Sequence, residues 1–72
     1  MKSIHSKEYK TVVERLKKAR IDSGLKQEEV AKKLDKPQSY VSKIESGERR
    51  LDVAELNAIS KIYKKNLDFF IK

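Results

Sequence analysis

The sequence contains no cysteine and only one histidine among its 72 residues. Without cysteine the chain has neither disulfides nor thiolate metal ligands, and the single histidine, His5, is too little to build a metal site. We therefore expect no metal and no other cofactor. His5 lies in a polar N-terminal stretch, residues 1–6, which we expect to be flexible and solvated.

Long apolar runs are absent too. No stretch has the length needed to cross a bilayer, and the first residues, MKSIHSKEYK, lack the apolar centre of a signal peptide. These absences predict a soluble cytoplasmic protein without a membrane partner. A chain of 72 residues is expected to form one domain, 1–72, whose small core leaves little surplus stability.

What the sequence has in excess is positive charge. Its 18 lysines and arginines outnumber its 11 acidic residues, which gives a formal net charge of +7. This excess favours a polyanionic partner, either nucleic acid or an anionic membrane surface. Composition alone does not decide the matter, because many basic surfaces are only solvated faces.

The hydrophobic pattern is helical throughout, and no run alternates as a strand would. We expect five helical segments: about Lys7 to Ser23, Gln27 to Leu34, Gln38 to Ser46, a fourth that starts after the N-cap Asp52, and a short fifth after Asn66. Gly24 and Gly47 each follow a segment, where a left-handed C-terminal cap is wanted. Five short helices predict an all-α fold, a compact orthogonal five-helix bundle.

The expected core residues recur at helical spacing. On the fourth segment we expect Val53, Leu56, Ile59 and Tyr63 to face inward with Ile62 on the flank, and on the fifth we expect Leu67, Phe70 and Ile71 to lie together. Glu55 stands three residues after Asp52, which is the spacing of a capping box.

Residues 27–46, QEEVAKKLDKPQSYVSKIES, form the informative segment. Two short helices are separated by a tight connection, Asp35-Lys36-Pro37, as a helix-turn-helix requires. Ala31 is small enough for the two helices to approach closely. Pro37 cannot continue the second helix but suits the first turn of the third.

The third segment has a narrow apolar stripe, Val41 and Ile44. Opposite this stripe the helix presents Ser39, Ser42, Lys43 and Ser46, with Gln38 at its N-terminal tip. A helix fits the major groove of B-DNA, about 12 Å wide, where Gln can read adenine and Lys can reach guanine. The alternative is an ordinary solvated face, but such faces on basic proteins usually mix Glu with Lys, and this one has no carboxylate.

The stretches LKQEEVAKKL, PQSYVSKIESGERR, LDVAELNAISKIY and NLDFF together resemble the Cro and lambda-repressor-like, Xre-type helix-turn-helix family. The resemblance covers about Tyr9 to Phe70. It implies a lambda-repressor-like fold and a prokaryotic regulator that binds double-stranded DNA. Two positions depart from the common pattern: Asp35 replaces a turn glycine, and Lys26 replaces a capping Ser or Thr. Asp tolerates the left-handed conformation better than most residues.

The resemblance also implies roles for single residues. Gln38, Ser39, Ser42 and Lys43 match the base-reading face, and Gln27 matches an anchor to a DNA phosphate. Ser46, Arg49 and Arg50 match the loop that grips the DNA backbone, and we expect Lys26 to contact phosphate as well.

Several functions are compatible with this pattern. The leading one is a nucleoid-associated transcriptional regulator, a repressor that acts as a dimer on a palindromic operator. An antitoxin or a restriction-modification controller that represses its own operon is an alternative, although we expect no toxin-binding segment beyond Lys72. A protein-interaction module is a second class, but the third segment lacks aromatic or Met anchors on its outer face. No nucleophile-base set or phosphate loop suggests an enzyme, and no small-molecule pocket is evident.

Two further expectations concern packing. Arg20 and Glu45 both fall near apolar helix faces, where opposite charges are tolerated only as a pair, so we expect a structural ion pair. Phe69 is left over when Phe70 enters the core, and with Leu51 or Ile62 it is the candidate interface of a weak homodimer.

Overall fold

The computed structural model describes residues 7–71, so the expected flexibility of residues 1–6 and the position of His5 lie outside the described part of the chain. Within 7–71 there are helices and no strands. The helices are α1 (Lys7–Asp22), α2 (Gln27–Lys33), α3 (Gln38–Glu45), α4 (Val53–Ile62) and α5 (Asp68–Ile71). The predicted all-α five-helix fold is confirmed, and each predicted boundary falls close to the observed one.

The turn between α2 and α3 depends on one residue in a left-handed conformation. Asp35 has a φ of 58°, as its place in the turn predicted. This reversal lets the Lys36 N–H donate to the carbonyl of Ala31 at 2.9 Å, which closes the end of α2. Pro37 then takes the N-cap position of α3, one residue before the first turn in which we expected it.

The start of α4 is held by a complete capping box. The Asp52 carboxylate accepts from the Glu55 N–H at 2.7 Å, and the Glu55 carboxylate accepts from the Asp52 N–H at 3.0 Å. At α5 the Asn66 side chain accepts from the Phe69 N–H at 3.2 Å. The side chains that cap α4 and α5 are therefore those that the sequence indicated.

The core lies where all five helices meet. It contains the buried residues Leu16, Ala19, Val30, Ala31, Val41, Ile44, Leu56, Ile59, Tyr63 and Phe70. Ala19 and Ala31 are almost fully buried, because a small side chain at a helix crossing lets the backbones approach. Within residues 7–71 no helix has the length and apolar character to cross a membrane.

The prediction that Val53 faces inward is wrong, because this side chain is 74% exposed. The buried stripe of α4 is centred on Leu56 and Tyr63, and Ser60 is buried beside it. At about 100° per residue, Val53 lies roughly 70° from that direction and in the first turn, beyond the reach of the core. Ile71 is also exposed instead of joining the core with Phe70, because it is the last residue of a four-residue helix.

A buried ion pair joins α1 to α3. Arg20 Nε donates to Glu45 Oε2 at 2.7 Å and Arg20 Nη2 donates to Glu45 Oε1 at 3.2 Å, with side-chain exposures of 13% and 5%. Arg20 Nη1 donates to the Leu25 carbonyl at 2.9 Å, which ties in the loop before α2. The hydrogen bond to Glu45 raises the pKa of Arg20, and burial, with the Glu45 charge as a second cause, raises the pKa of Tyr63.

Arg20→Ala is expected to lower the free energy of unfolding by about 3 kcal/mol or more, because Glu45 is left buried without its cation. Lys17→Ala removes an exposed cation from the same helix and is expected to change it by less than about 0.5 kcal/mol. Urea denaturation of both variants measures the difference. Equal stabilities for the two variants would contradict a stabilising role of the pair.

Candidate nucleic-acid interface

The outward face of α3 carries polar side chains and one cation. Gln38, Ser39, Ser42 and Lys43 are all exposed, whereas the apolar stripe of Val41 and Ile44 is only 3% and 2% exposed. The one carboxylate of α3, Glu45, points inward to Arg20. The helix thus offers hydrogen-bonding groups and a positive charge to an approaching ligand, with no acidic side chain among them.

A chain of hydrogen bonds connects the tip of α3 to the buried ion pair. Gln38 Nε2 donates to Gln27 Oε1 at 3.4 Å, a long contact, and Gln27 Nε2 donates to Glu45 Oε1 at 3.0 Å. Glu45 is in turn bonded to Arg20. The first residues of α2 and α3 are therefore oriented by the same carboxylate that holds α1.

Lys26 lies at the N-terminus of α2, and Ser46 lies at the C-terminus of α3. Lys26 is the N-cap of α2, and its side chain makes no capping hydrogen bond; instead the Glu29 carboxylate accepts from the Lys26 N–H at 2.7 Å. The exposed ammonium of Lys26 is not used by the cap. Ser46 Oγ contacts the Lys43 carbonyl at 3.1 Å and Glu48 Oε2 at 2.9 Å, so its hydroxyl already has acceptors within the loop.

A tyrosine of α1 holds the loop after α3 by hydrogen bonds to the loop backbone. The Tyr9 hydroxyl donates to the Arg49 carbonyl at 3.2 Å and accepts from the Leu51 N–H at 3.1 Å. The guanidinium of Arg50 lies 5.1 Å from the centre of the Tyr9 ring. These hydrogen bonds fix the backbone at Arg49 and Leu51. The exposed side chains of Arg49 and Arg50 therefore project from a fixed stretch of backbone.

Arg49 belongs to a group that we call the Tyr40 cluster, formed by Lys36, Tyr40, Arg49 and Glu55. The Arg49 guanidinium lies 4.8 Å from the centre of the Tyr40 ring, and Lys36 Nζ lies 5.4 Å from it. Glu55 Oε2 accepts from the Tyr40 hydroxyl at 2.8 Å and from Arg49 Nη2 at 2.7 Å. The Asp52 N–H, the Tyr40 hydroxyl and Arg49 together hold the pKa of Glu55 below its ordinary value.

Two of these contacts could not be predicted from the sequence. No role at this loop was expected for Tyr9, and Glu55 was expected only as a capping residue. Tyr9 and Arg49 are 40 positions apart, and Arg49 and Glu55 are separated by a loop, so neither contact follows from helical periodicity.

The residues predicted for a dimer interface are half-buried. Leu51, Ile62 and Phe69 all pack against the core, and the Phe69 ring contacts Phe70 edge to face with 5.1 Å between centroids. Lys65 Nζ lies 4.7 Å from the Phe69 ring centre. Each of the three retains some exposed surface.

In the described part of the chain, no group of three or more His, Cys, Asp or Glu side chains is arranged to hold a metal ion.

The comparisons with known proteins agree with this geometry. A helix-turn-helix family model matches residues 16–70, which run from the middle of α1 to α5 and include the whole α2–turn–α3 unit. The comparison with curated proteins found no match. The matched region is more than half of the chain, and it contains every residue named in this candidate interface except Tyr9. The chain therefore belongs to the Xre and Cro-like helix-turn-helix family of DNA-binding regulators.

Proposed function

We propose that this protein is a transcriptional repressor that binds a palindromic operator as a dimer. The observation that carries the proposal is the exposed face of α3, which presents Gln38, Ser39, Ser42 and Lys43 while its only carboxylate is turned into the core. A face of this size and polarity suits the major groove, where amides and cations read base edges.

Gln38, Ser39, Ser42 and Lys43 are assigned to base reading. The contact between Gln38 and Gln27 supports this, because an oriented amide loses less freedom when it binds adenine. The groups assigned to the DNA backbone are Lys26, Gln27, Ser46, Arg49 and Arg50. Lys26 and Gln27 stand at the start of α2, Ser46 is the C-cap of α3, and Arg49 and Arg50 follow in the next loop.

Dimerisation is inferred from geometry. One short helix reads few base pairs, so such domains usually bind two half-sites about 34 Å apart. The molecule measures 32 × 23 × 20 Å, so two copies centred about 34 Å apart meet only when their long axes point toward each other. The proposed contact uses the exposed parts of Leu51, Ile62 and Phe69, and the exposed Val53 at the start of α4 adds apolar surface near Leu51. So small a patch supports weak self-association.

The first prediction separates base reading from backbone grip. Operators are first selected from a pool of random duplexes with the wild-type protein. Gln38→Ala or Lys43→Ala is then expected to lose about 1–3 kcal/mol on the selected operator and much less on random DNA. Arg49→Ala or Arg50→Ala is expected to weaken both alike and to make the salt dependence shallower by about one unit per lost contact. Fluorescence anisotropy at several salt concentrations measures all four.

Lys33→Ala, on the exposed side of α2, serves as the control for general loss of charge. If Gln38→Ala, Ser39→Ala and Lys43→Ala all leave operator preference intact, α3 is not the reading element. Absence of DNA binding by the wild-type protein would favour a protein-interaction module instead.

The second prediction concerns self-association. Phe69→Ala and Val53→Asp are expected to reduce cooperative binding to an operator with two half-sites while binding to a single half-site is retained, because neither residue lies on α3. Ile21→Asp alters another exposed apolar residue, on α1, which is 57% exposed against 74% for Val53, and it is the matched control. Sedimentation on and off DNA is the measurement, and a strict monomer in both states would refute the dimer.

A further inference from the structure

Arg49, which we assign to the DNA backbone, forms an ion pair with Glu55. Its guanidinium lies on the Tyr40 ring and donates to Glu55 Oε2 at 2.7 Å. Phosphate oxygens seek the same donors as a carboxylate does, so DNA and Glu55 compete for this side chain.

We propose that Glu55 restrains DNA binding by holding Arg49 in the free protein, so that a phosphate has to take the guanidinium from the carboxylate. This inference rests on the proposed function, in which Arg49 grips the DNA backbone. Glu55 is then a negative charge within the protein that offsets part of the attraction between Arg49 and a DNA phosphate.

The carboxylate cannot follow the arginine, because Glu55 is anchored on other groups. Glu55 Oε1 accepts from the Asp52 N–H as part of the cap of α4, and Glu55 Oε2 accepts from the Tyr40 hydroxyl. The backbone of Arg49 is held as well, by the Tyr9 hydroxyl. Only the side chain of Arg49 is able to move between the two anions.

The exchange leaves no group of the cluster without a partner. When Arg49 turns to a phosphate, Glu55 keeps the Tyr40 hydroxyl and the Asp52 N–H, and Lys36 stays near the Tyr40 ring. The pair is also exposed enough to exchange, with 42% of the Arg49 side chain and 25% of the Glu55 side chain accessible. Exposed pairs of this kind are weak, so the restraint is modest and reversible.

The test is Glu55→Gln, which removes the charge and retains a side chain suited to the N3 position of a capping box. Binding to random duplex DNA at low salt is expected to tighten about two- to fivefold, the range that corresponds to an exposed ion pair. Glu48→Gln makes the same change of charge next to Arg49, at a carboxylate bonded to Ser46 instead.

The decisive measurement repeats both substitutions in an Arg49→Ala background. If Glu55 acts through Arg49, the gain from Glu55→Gln exceeds the gain from Glu48→Gln when Arg49 is present, and falls to the same value in the Arg49→Ala background. An excess over Glu48→Gln that survives in Arg49→Ala, or no excess when Arg49 is present, overturns the proposal. Weaker binding by Glu55→Gln also overturns it, since Glu55 would then position Arg49 for the phosphate.

A second measurement uses the wild-type protein and so does not depend on the folding of a variant. The carboxyl carbon signal of Glu55, followed by NMR during titration with the random duplex, is expected to shift as Arg49 leaves. A signal that stays in place at saturation, while Arg49→Ala weakens binding, overturns the exchange and leaves the DNA-binding function intact. If the wild-type protein does not bind DNA at all, the proposed function itself fails.

Discussion

The buried pair of Arg20 and Glu45 is the interaction on which the arrangement of the three N-terminal helices depends. A charge removed from water is tolerated only when its hydrogen-bonding capacity is met, and here both side chains are satisfied by each other, by the Leu25 carbonyl and by Gln27. These partners come from α1, the following loop and α2, while Glu45 comes from α3. The Glu45 carboxylate thus fixes the orientation of α3 relative to α1, the loop after α1 and α2.

The same pair also determines which groups α3 leaves outside. Because Glu45 is turned inward, the outer face retains no acidic group to repel a phosphate, and because Gln27 is bonded to Glu45, its amide oxygen is directed toward Gln38. Gln38, which we assign to base reading, is in this way oriented by a network that begins in the core. Hydrogen bonds from neighbouring residues of this kind keep a binding group in a productive geometry.

Much of this arrangement follows from the sequence because it depends on local rules. Helix ends followed from Gly24, Asp35 and Asp52, and the meeting of Arg20 with Glu45 followed from the cost of unpaired buried charge. Val53 was misplaced because a first-turn residue can lie on the edge of an apolar stripe without reaching the core. The Tyr40 cluster was missed for another reason: its members come from separate elements, and only the packed structure brings them together.

Two arginines of this protein each hold a glutamate, and their burial separates the roles we infer for them. The side chains of Arg20 and Glu45 are only 13% and 5% exposed, so parting them leaves a charge with little access to water. Arg49 and Glu55 make a contact of the same length, 2.7 Å, at a site that water and salt reach, where parting them costs little. The net charge of +7 already subtracts Glu55, so the pair changes how available the charge of Arg49 is in the free protein and not how much charge the protein carries. What a cation contributes to binding depends on the partner it leaves as well as on the phosphate it reaches.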